Sequence, residues 1–496
     1  MDDKHRGPVL GSNKAAASGL QPKTKRCLVA AALCATTCLI LTSKYYNPWQ
    51  PGSFIETEST PFQKFQDCSI KNFLDTGLPF LASASPLPVK EYVERRNRLA
   101  EALVKDDVDA FLVEPGYTFQ YYANISQKDW EVWEPEERPF LMIVQPHKDS
   151  VGKITASTRF LAPNFEVERA RLLGMPFDET LSFVPWEEHW NPYQTLMNSW
   201  KSASLDSESK DTLRSAPKIM VDEEMRDFIQ RGLGENGFEV IGLGGEVERV
   251  KQTKSPREVE IVRAVNTGTV EAVRAMRECM YSGLTENQVM EVLDNTLWAA
   301  GMEPFFDIVL FDEDASNPHG GTDGSKVLDA ETFVLIDVGA HLYGYSSDIC
   351  RTFFPPFYPK PSTASEYAAL SPIIKHKLSV WDTVLEAQTQ SMHALIAGNS
   401  AASVDIAARK VITDAGYGKD FTHRVGHGIG IKAHESPYLN KGNLNVTLRA
   451  GMTFTSEPGI YLVDHFGVRH EDILLVKENG NPEILTGTRA TGPWNP

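Results

Sequence analysis

The chain has 496 residues, too many for one ordinary hydrophobic core, so two domains plus extra segments are expected. Hydrophobic residues at 42% and charged residues at 23% exclude wholesale disorder. A formal net charge of −17 argues against a phosphate-backbone binder, since non-specific nucleic-acid affinity comes from clustered cations, and no nucleic-acid partner is expected.

In chain order, a polar stretch carrying Lys23, Lys25 and Arg26 precedes an uncharged run, Cys27 to Thr42. A cleaved signal peptide begins nearer the N-terminus, and the preceding cations place that tail in the cytosol. The expectation is a cytosolic tail over 1–26, a membrane signal anchor over 27–44 and a stalk over 45–88. The remainder would then be lumenal or extracellular, the alternative being a cleaved signal and a secreted product. Outside the apolar run only Cys68, Cys279 and Cys350 remain, too scattered for a disulfide framework and lacking the CxxC spacing of a zinc site.

The soluble part begins with a helical pattern, VKEYVERRNRLAEALVKDD, then strand-like runs at VDAFLVEPGY and PFLMIVQP, with a polar loop over Lys201–Lys218. KIMVDEEMRDFIQRGL and FEVIGLG continue the alternation, which predicts an α/β domain over 89–247. The second domain, 248–496, opens on a capping box. Ser255 can accept from a free helix N–H, Pro256 needs no donor and Glu258 reaches back, starting a helix that should run toward Gly283. Thr285 and Gln288 start a second helix that stops at Gly301. Further helices are expected over Ser365–Ala397 and Ala402–Ala415. Strand-like runs at FFDIVLF, TFVLIDVG, MTFTSEPGIYL and VRHEDILLV make this half α+β.

Two of these strand regions carry opposed acids. Asp337 and Asp348 are symmetric about Leu342–Tyr343, and residues equidistant from a hairpin turn face each other about 5 Å apart at Cβ. Gly344 lies off centre, so a bulge could shift that pairing by one. Glu457 and Glu471 are symmetric about Asp464, with Asp464–Gly467 as the loop. Carboxylates this close cannot all stay ionised without a counter-charge, and two divalent ions would supply it. In THRVGHGIGIKAHESP the glycines around His427 let the backbone bend and expose the imidazole as a further ligand. His423 and His427 are four apart, but glycines at 426, 428 and 430 argue against a helix. An oxygen-rich set with one imidazole suits manganese best, with cobalt, iron or zinc also compatible. Taken singly, each residue has a structural alternative: Asp348 could pair with Arg351, Glu471 with Arg469, and His427 could sit in a plain loop.

Taken together, Asp337 and Asp348, Gly426-His427-Gly428, Glu457-Pro458-Gly459 and Arg469-His470-Glu471-Asp472 resemble the metal signature of the creatinase/prolidase/aminopeptidase P family, peptidase family M24. The resemblance implies a pita-bread catalytic domain behind a creatinase-like α/β domain. It implies two divalent metal ions held by Asp337, Asp348, His427, Glu457 and Glu471, with a bridging hydroxide as nucleophile. Glu457 would then shuttle a proton to the leaving nitrogen, His319 and His434 would contact substrate and stabilise the tetrahedral intermediate, and His423 and Arg469 would support the ligands. The implied substrate is a small peptide cleaved at an Xaa-Pro bond, and a homodimer is implied by the resemblance alone. Alternatives are a creatinase-like hydrolase of a non-peptide amide and an inactive binding module on the same fold. Two positions depart from the family pattern. Cys350 replaces a hydroxyl residue after Asp348-Ile349, and His470 replaces an apolar residue before Glu471.

Overall fold

The run Ala110–Val113 (β1) is buried at every position, as a central strand must be. The computed structural model, which describes residues 59–131, 134–205 and 216–496, places it inside a six-stranded sheet. Its companions are β2 (Leu141–Lys148), β3 (Ile154–Pro163), β4 (Ser182–Trp186), β5 (Lys218–Val221) and β6 (Glu239–Ile241), in the order β4-β3-β2-β1-β5-β6. Successive side chains serve opposite faces. Phe111, Val113, Met142 and Val144 join the core that includes Leu99 and Leu103 of the helix Val89–Lys105, whereas Ala110, Leu112, Leu141 and Ile143 pack with Leu196 and Trp200. The polar segment expected to be a loop from Lys201 starts inside a helix, Pro192–Leu205.

In the second half both predicted capping boxes form. Ser255 Oγ accepts from Glu258 N and the Glu258 carboxylate accepts from Ser255 N, opening a helix that we label α1 (Pro256–Arg277). Thr285 and Gln288 do the same for α2 (Glu286–Ala299). The first helix stops at Arg277, short of Gly283. Both pack on one face of a sheet in the order β10-β8-β7, built from β7 (Glu303–Phe311), β8 (Val334–Leu342) and β10 (Ile349–Phe353), with the short β9 (Tyr345–Ser346) beside β8. Val334, Ile336 and Val338 take the helix side. The alternation of a strand therefore sends Leu335 and Asp337 to the other face.

That other face meets a second antiparallel system. It comprises β11 (Gly426–Gly428), β12 (Glu435–Leu439), β13 (Thr453–Ser456), β16 (Asp472–Leu475) and β17 (Glu483–Ile484), with a separate ribbon of β14 (Gly459–Leu462) and β15 (Phe466–Arg469). Helices α3 (Pro372–Ala394) and α4 (Ala401–Asp414) share a core with these strands through Trp381, Val384, Phe454 and Leu474. The two systems are stitched directly. Thr352 Oγ1 donates to the Arg469 carbonyl and accepts from Arg469 N, and Glu471 N donates to the Cys350 carbonyl.

Several expectations need correction. The turn of the first hairpin lies at Tyr343–Gly344, both at positive φ, not at Leu342–Tyr343. Asp337 therefore pairs with Cys350, and Asp348 is its diagonal neighbour. Residues 61–88 are not a stalk. Pro61–Asp75 is a helix, started by Thr60 accepting from Gln63 N, and it buries Phe65 and Phe73 in the core of α1 and α2. This docking brings Cys68 and Cys279 to a Cα separation of 6.0 Å, and they form a disulfide across 211 residues. Spacing alone could not reveal that bridge. The expected single-pass membrane attachment does not stand, because among the described residues no helix is long and apolar enough to cross a membrane. The tail 1–26 and the segment 27–44, on which that expectation rested, lie outside the described residues.

Because the bridge closes a very long loop, Cys68→Ser should destabilise the protein by about 2–4 kcal/mol. A lowered urea midpoint relative to the parent checks this; an unchanged midpoint would mean that apolar docking of the helix suffices.

Candidate metal centre

Five of the sequence-predicted residues converge where the two strand systems meet. Asp337, on the inner face of β8, Asp348, just before β10, and Glu471, just before β16, present carboxylate oxygens within 4.8 Å of one another. His427, Glu457 and Glu471 form a second group within the same limit, and Asp348, His427 and His434 a third.

The strand registers explain the convergence. Ser456 pairs with Asp472 and Gly459 with Arg469, so Glu457 and Glu471 stand opposite each other where the long hairpin opens between its two parts. At that opening each acid residue bonds elsewhere: Glu457 N donates to the Val425 carbonyl and Glu471 N to Cys350. Asp348 is anchored from the helix side, its N–H donating to the Asn266 side chain of α1. His427 can approach because its neighbours are glycines. A Cβ at Gly426 would collide with the Thr455 carbonyl, and one at Gly428 would come 2.7 Å from the Glu435 carbonyl.

Electrostatically the site is unbalanced. Of the four carboxylates only Asp337 has a full ionic partner, Arg469, and even so its Oδ1 is buried with no hydrogen bond. Burial pushes the Asp337 carboxyl up against the pull of Arg469. Burial and then the Asp337 charge push Asp348 well above the usual range, and burial followed by the charge of Asp348 does the same to Glu471. Glu457 goes the other way. Burial would raise it, but the hydrogen bond and charge of His427, with His423 and Arg469, bring it down to about 2. His427 Nδ1 faces the Gly428 carbonyl at 3.1 Å and is therefore the N–H nitrogen. Its Nε2 then lies 3.3 Å from Glu457 and 3.6 Å from Asp348, and it can meet them favourably only through a cation, a proton or a metal ion. An oxygen-rich, buried, under-neutralised donor set of this kind fits divalent ions.

The remaining predicted residues surround this cluster. His434 is 56% exposed at its side chain, with Nε2 3.6 Å from Asp348, so a ligand can reach it. His319 is exposed on a loop that is tied down next door, where Arg469 donates to the Pro318 carbonyl. His423 is outside the carboxylate cluster. Its Nδ1–H donates to the Arg424 carbonyl at 2.7 Å and its Nε2 accepts from the Tyr461 hydroxyl at 2.8 Å. Arg469 also donates to Tyr461, so Tyr461 links His423 to the arginine that holds Asp337. Sequence reasoning missed Tyr461 and Asn266, which carry no motif of their own. The two structural alternatives for the acids do not occur: Arg351 pairs with Asp472 and Arg469 with Asp337. Of the two departures, Cys350 lies opposite Asp337 on the site face, whereas His470 packs against Trp381 of α3, away from the acids.

The profile of metallopeptidase family M24 matches residues 260–478. An uncharacterized peptidase of Schizosaccharomyces pombe is 36% identical over 441 residues, covering 88% of this chain and 89% of that relative. Among solved structures, the dipeptidase PepE of Mycobacterium ulcerans is similar at a TM-score of 0.67 and 25% identity, over 82% of this chain and 98% of that one. An Xaa-Pro dipeptidase of Bacillus anthracis gives 0.61 and 25%, over 80% and 98%.

A carboxyl whose folded pKa is raised contributes stability that is present at low pH and lost as pH rises through the folded value. Asp337, Asp348 and Glu471 are of this kind, and only Glu457 opposes them. The site's contribution to the stability of the metal-free protein should therefore fall between pH 5 and pH 8. Manganese, competing with those protons, should raise the melting temperature more at pH 8 than at pH 5. Thermal scans with and without the ion at both values check this, and equal shifts would contradict the electrostatic account.

Proposed function

The chain belongs to metallopeptidase family M24, and from that premise we propose that it cleaves small peptides at Xaa-Pro bonds with two divalent ions held by Asp337, Asp348, His427, Glu457 and Glu471. The observation that carries this reading is the convergence of four carboxylates and one imidazole from separate stretches onto one buried point. Asp348, His427 and Glu471 each belong to two of the three donor groups, an overlap that suits adjacent ions with ligands in common. The fold, shared with the solved relatives, is the pita-bread fold, and those relatives include an Xaa-Pro dipeptidase, which favours the proline reading. Manganese is the preferred ion because most of the donors are hard carboxylate oxygens.

When bound, such ions supply a nucleophilic water near neutral pH and polarise the scissile carbonyl. The chain's own groups do the rest. Glu457, held ionised, takes the proton of the attacking water and delivers it to the leaving nitrogen. Burial lowers the His434 pKa, so its neutral ring can donate a hydrogen bond to the developing oxyanion without carrying a fixed charge. To His319, on the loop tethered through Pro318, this reading assigns the contact with the other end of the substrate. Arg469 fixes Asp337 and, through Tyr461, orients His423.

The full chain, loaded with manganese, should hydrolyse Xaa-Pro dipeptides or longer Xaa-Pro peptides and spare non-proline controls. Glu457→Gln should lower kcat by about 10²–10⁴-fold. Measured turnover on the three substrate sets checks both statements. Metal uptake without cleavage of any peptide would reject the reading in favour of a non-peptide amide.

A further inference from the structure

Several acids buried outside the cluster are answered by a cation: Glu258 by Arg95, Asp405 by Arg409, Glu435 by Lys254 and Asp472 by Arg351. Glu286 differs. It lies in the first turn of α2, fully buried, and among the described residues it forms no ion pair. Its Oε1 accepts from the Phe311 N–H at 2.6 Å, while no donor among the described residues reaches its Oε2. What the carboxyl does meet is a second acid, since that of Asp314 lies within hydrogen-bonding reach. Two carboxylates repel at that range, whereas an acid and a carboxylate bind each other through a shared proton. The surroundings favour the proton. Burial pushes the Glu286 carboxyl up to about 7, against the pull of the Phe311 N–H, and the charge of Asp314 adds to the rise. Lys326 pulls the other way but is already paired with Glu313, and Lys377 is paired with Asp312.

The place of this acid matters because the chain over 312–328 leaves the first turn of α2 and returns to it. On the way out, Phe311 and Asp314 meet the Glu286 side chain, and the short helical turn Asp312–Ser316 leads on to Pro318 and His319. On the way back, the Lys326 carbonyl accepts from the Glu286 N–H at 3.2 Å, and the Gly324 carbonyl accepts from the Asn287 N–H at 3.0 Å. The Asn287 side chain donates to the Asp323 carbonyl as well. Both limbs are thus bound to one helical turn, and Glu286 touches both. His319 stands exposed on the stretch between them. A segment held at both ends has less freedom to lose when its tip engages a ligand.

We propose that Glu286 is a positioning residue for His319: in its protonated form it donates to Asp314 while accepting from Phe311, and so clasps the outgoing limb of the loop to the returning one. The inference rests on the peptidase reading for the role of His319, whereas the clasp itself does not depend on it. A carboxyl whose folded pKa is raised contributes a contact that is present at low pH and lost as pH rises through the folded value. The clasp is therefore closed at pH 6 and loosens toward pH 8.5. One proton is involved, so the loop's equilibrium shifts by at most about tenfold per pH unit.

The test compares the full chain, loaded with manganese, with its Glu286→Gln and Glu286→Leu variants at both pH values. A glutamine amide keeps the acceptor for Phe311 and supplies a permanent donor for Asp314, while leucine offers neither. Backbone hydrogen exchange over 312–321, read by mass spectrometry, needs no turnover. At pH 6 the wild type and Glu286→Gln should exchange alike. At pH 8.5 the wild type should exchange faster than Glu286→Gln by about threefold or more, and Glu286→Leu should be fast at both values. With an Xaa-Pro substrate, kcat/KM of the wild type should fall relative to Glu286→Gln over the same range. Faster exchange in Glu286→Gln than in the wild type at pH 6 overturns the proposal, and so does a ratio between the two that ignores pH. Neither comparison needs Glu286→Leu to fold. An exchange effect without the matching change in kcat/KM cuts the link to His319 and overturns it too. If no peptide is cleaved at all, the peptidase reading fails, and exchange alone decides the clasp.

Discussion

Four carboxyl groups buried around one imidazole and answered by a single guanidinium are the constraint on which the rest of this structure turns. Such a cluster costs free energy in the empty protein, since burial drives three of its acids toward the protonated form. The surrounding architecture must therefore be strong enough to hold groups that repel. It does so with two antiparallel systems locked by backbone and side-chain bonds at Thr352, Cys350 and Glu471, each backed by a pair of long helices. The Arg351–Asp472 pair strengthens the seam, because Arg351 also donates to the Glu471 carbonyl at 2.6 Å and so fixes the residue that belongs to two donor groups.

The site is an opening in a hairpin. The strands around Glu457 and Glu471 keep one register on both sides of the break, yet at the break their N–H groups bond to different elements. This frees the two side chains to point at a common centre without leaving buried backbone donors unpaired, which would be costly in so dry a place. Close approach has a second requirement. Gly467 on β15 lies so near the Ala315 carbonyl that any side chain would collide, and this contact seats the loop that continues to Pro318 and His319. The histidine that motif reading places near substrate is thus delivered by a glycine on another strand.

Much of this was legible in the sequence because it depends on local periodicity and capping. Ser255 and Thr285 announced their helices through residues three positions on, and the symmetry of Glu457 and Glu471 about Asp464 survives in the observed register. The first hairpin was misread by one position at its midpoint. A Leu342–Tyr343 turn and a Tyr343–Gly344 turn differ only in which residues take positive φ, and Gly344 was the available clue. What remained hidden was long-range. The docking of Pro61–Asp75, the bridge from Cys68 to Cys279, and the hold of Asn266 on Asp348 join residues far apart in the chain, and no spacing rule reaches that far.

Other long-range contacts tie the first half of the chain to the elements that carry the site. Arg95 of the helix Val89–Lys105 donates to the Tyr345 hydroxyl, which donates to Glu258 at 2.8 Å, and all three are buried. Tyr345 stands at the tip of the hairpin that carries Asp337, and the next residue, Ser346, donates from its N–H and hydroxyl to the carbonyls of Gly430 and Ile431, just past His427. On the other side of that loop Lys254 pairs with Glu435, the residue after His434, and Glu248 accepts from Ser436. A buried ion pair contributes little net stability against apolar substitutes, but removing one partner is expensive. Such pairs are therefore better understood as registers than as glue. They make one arrangement of the hairpin tip and the histidine loop far cheaper than any shifted alternative. The candidate ligands Asp337 of β8 and His427 of β11 are thereby held around one cluster, although no short stretch of chain joins them.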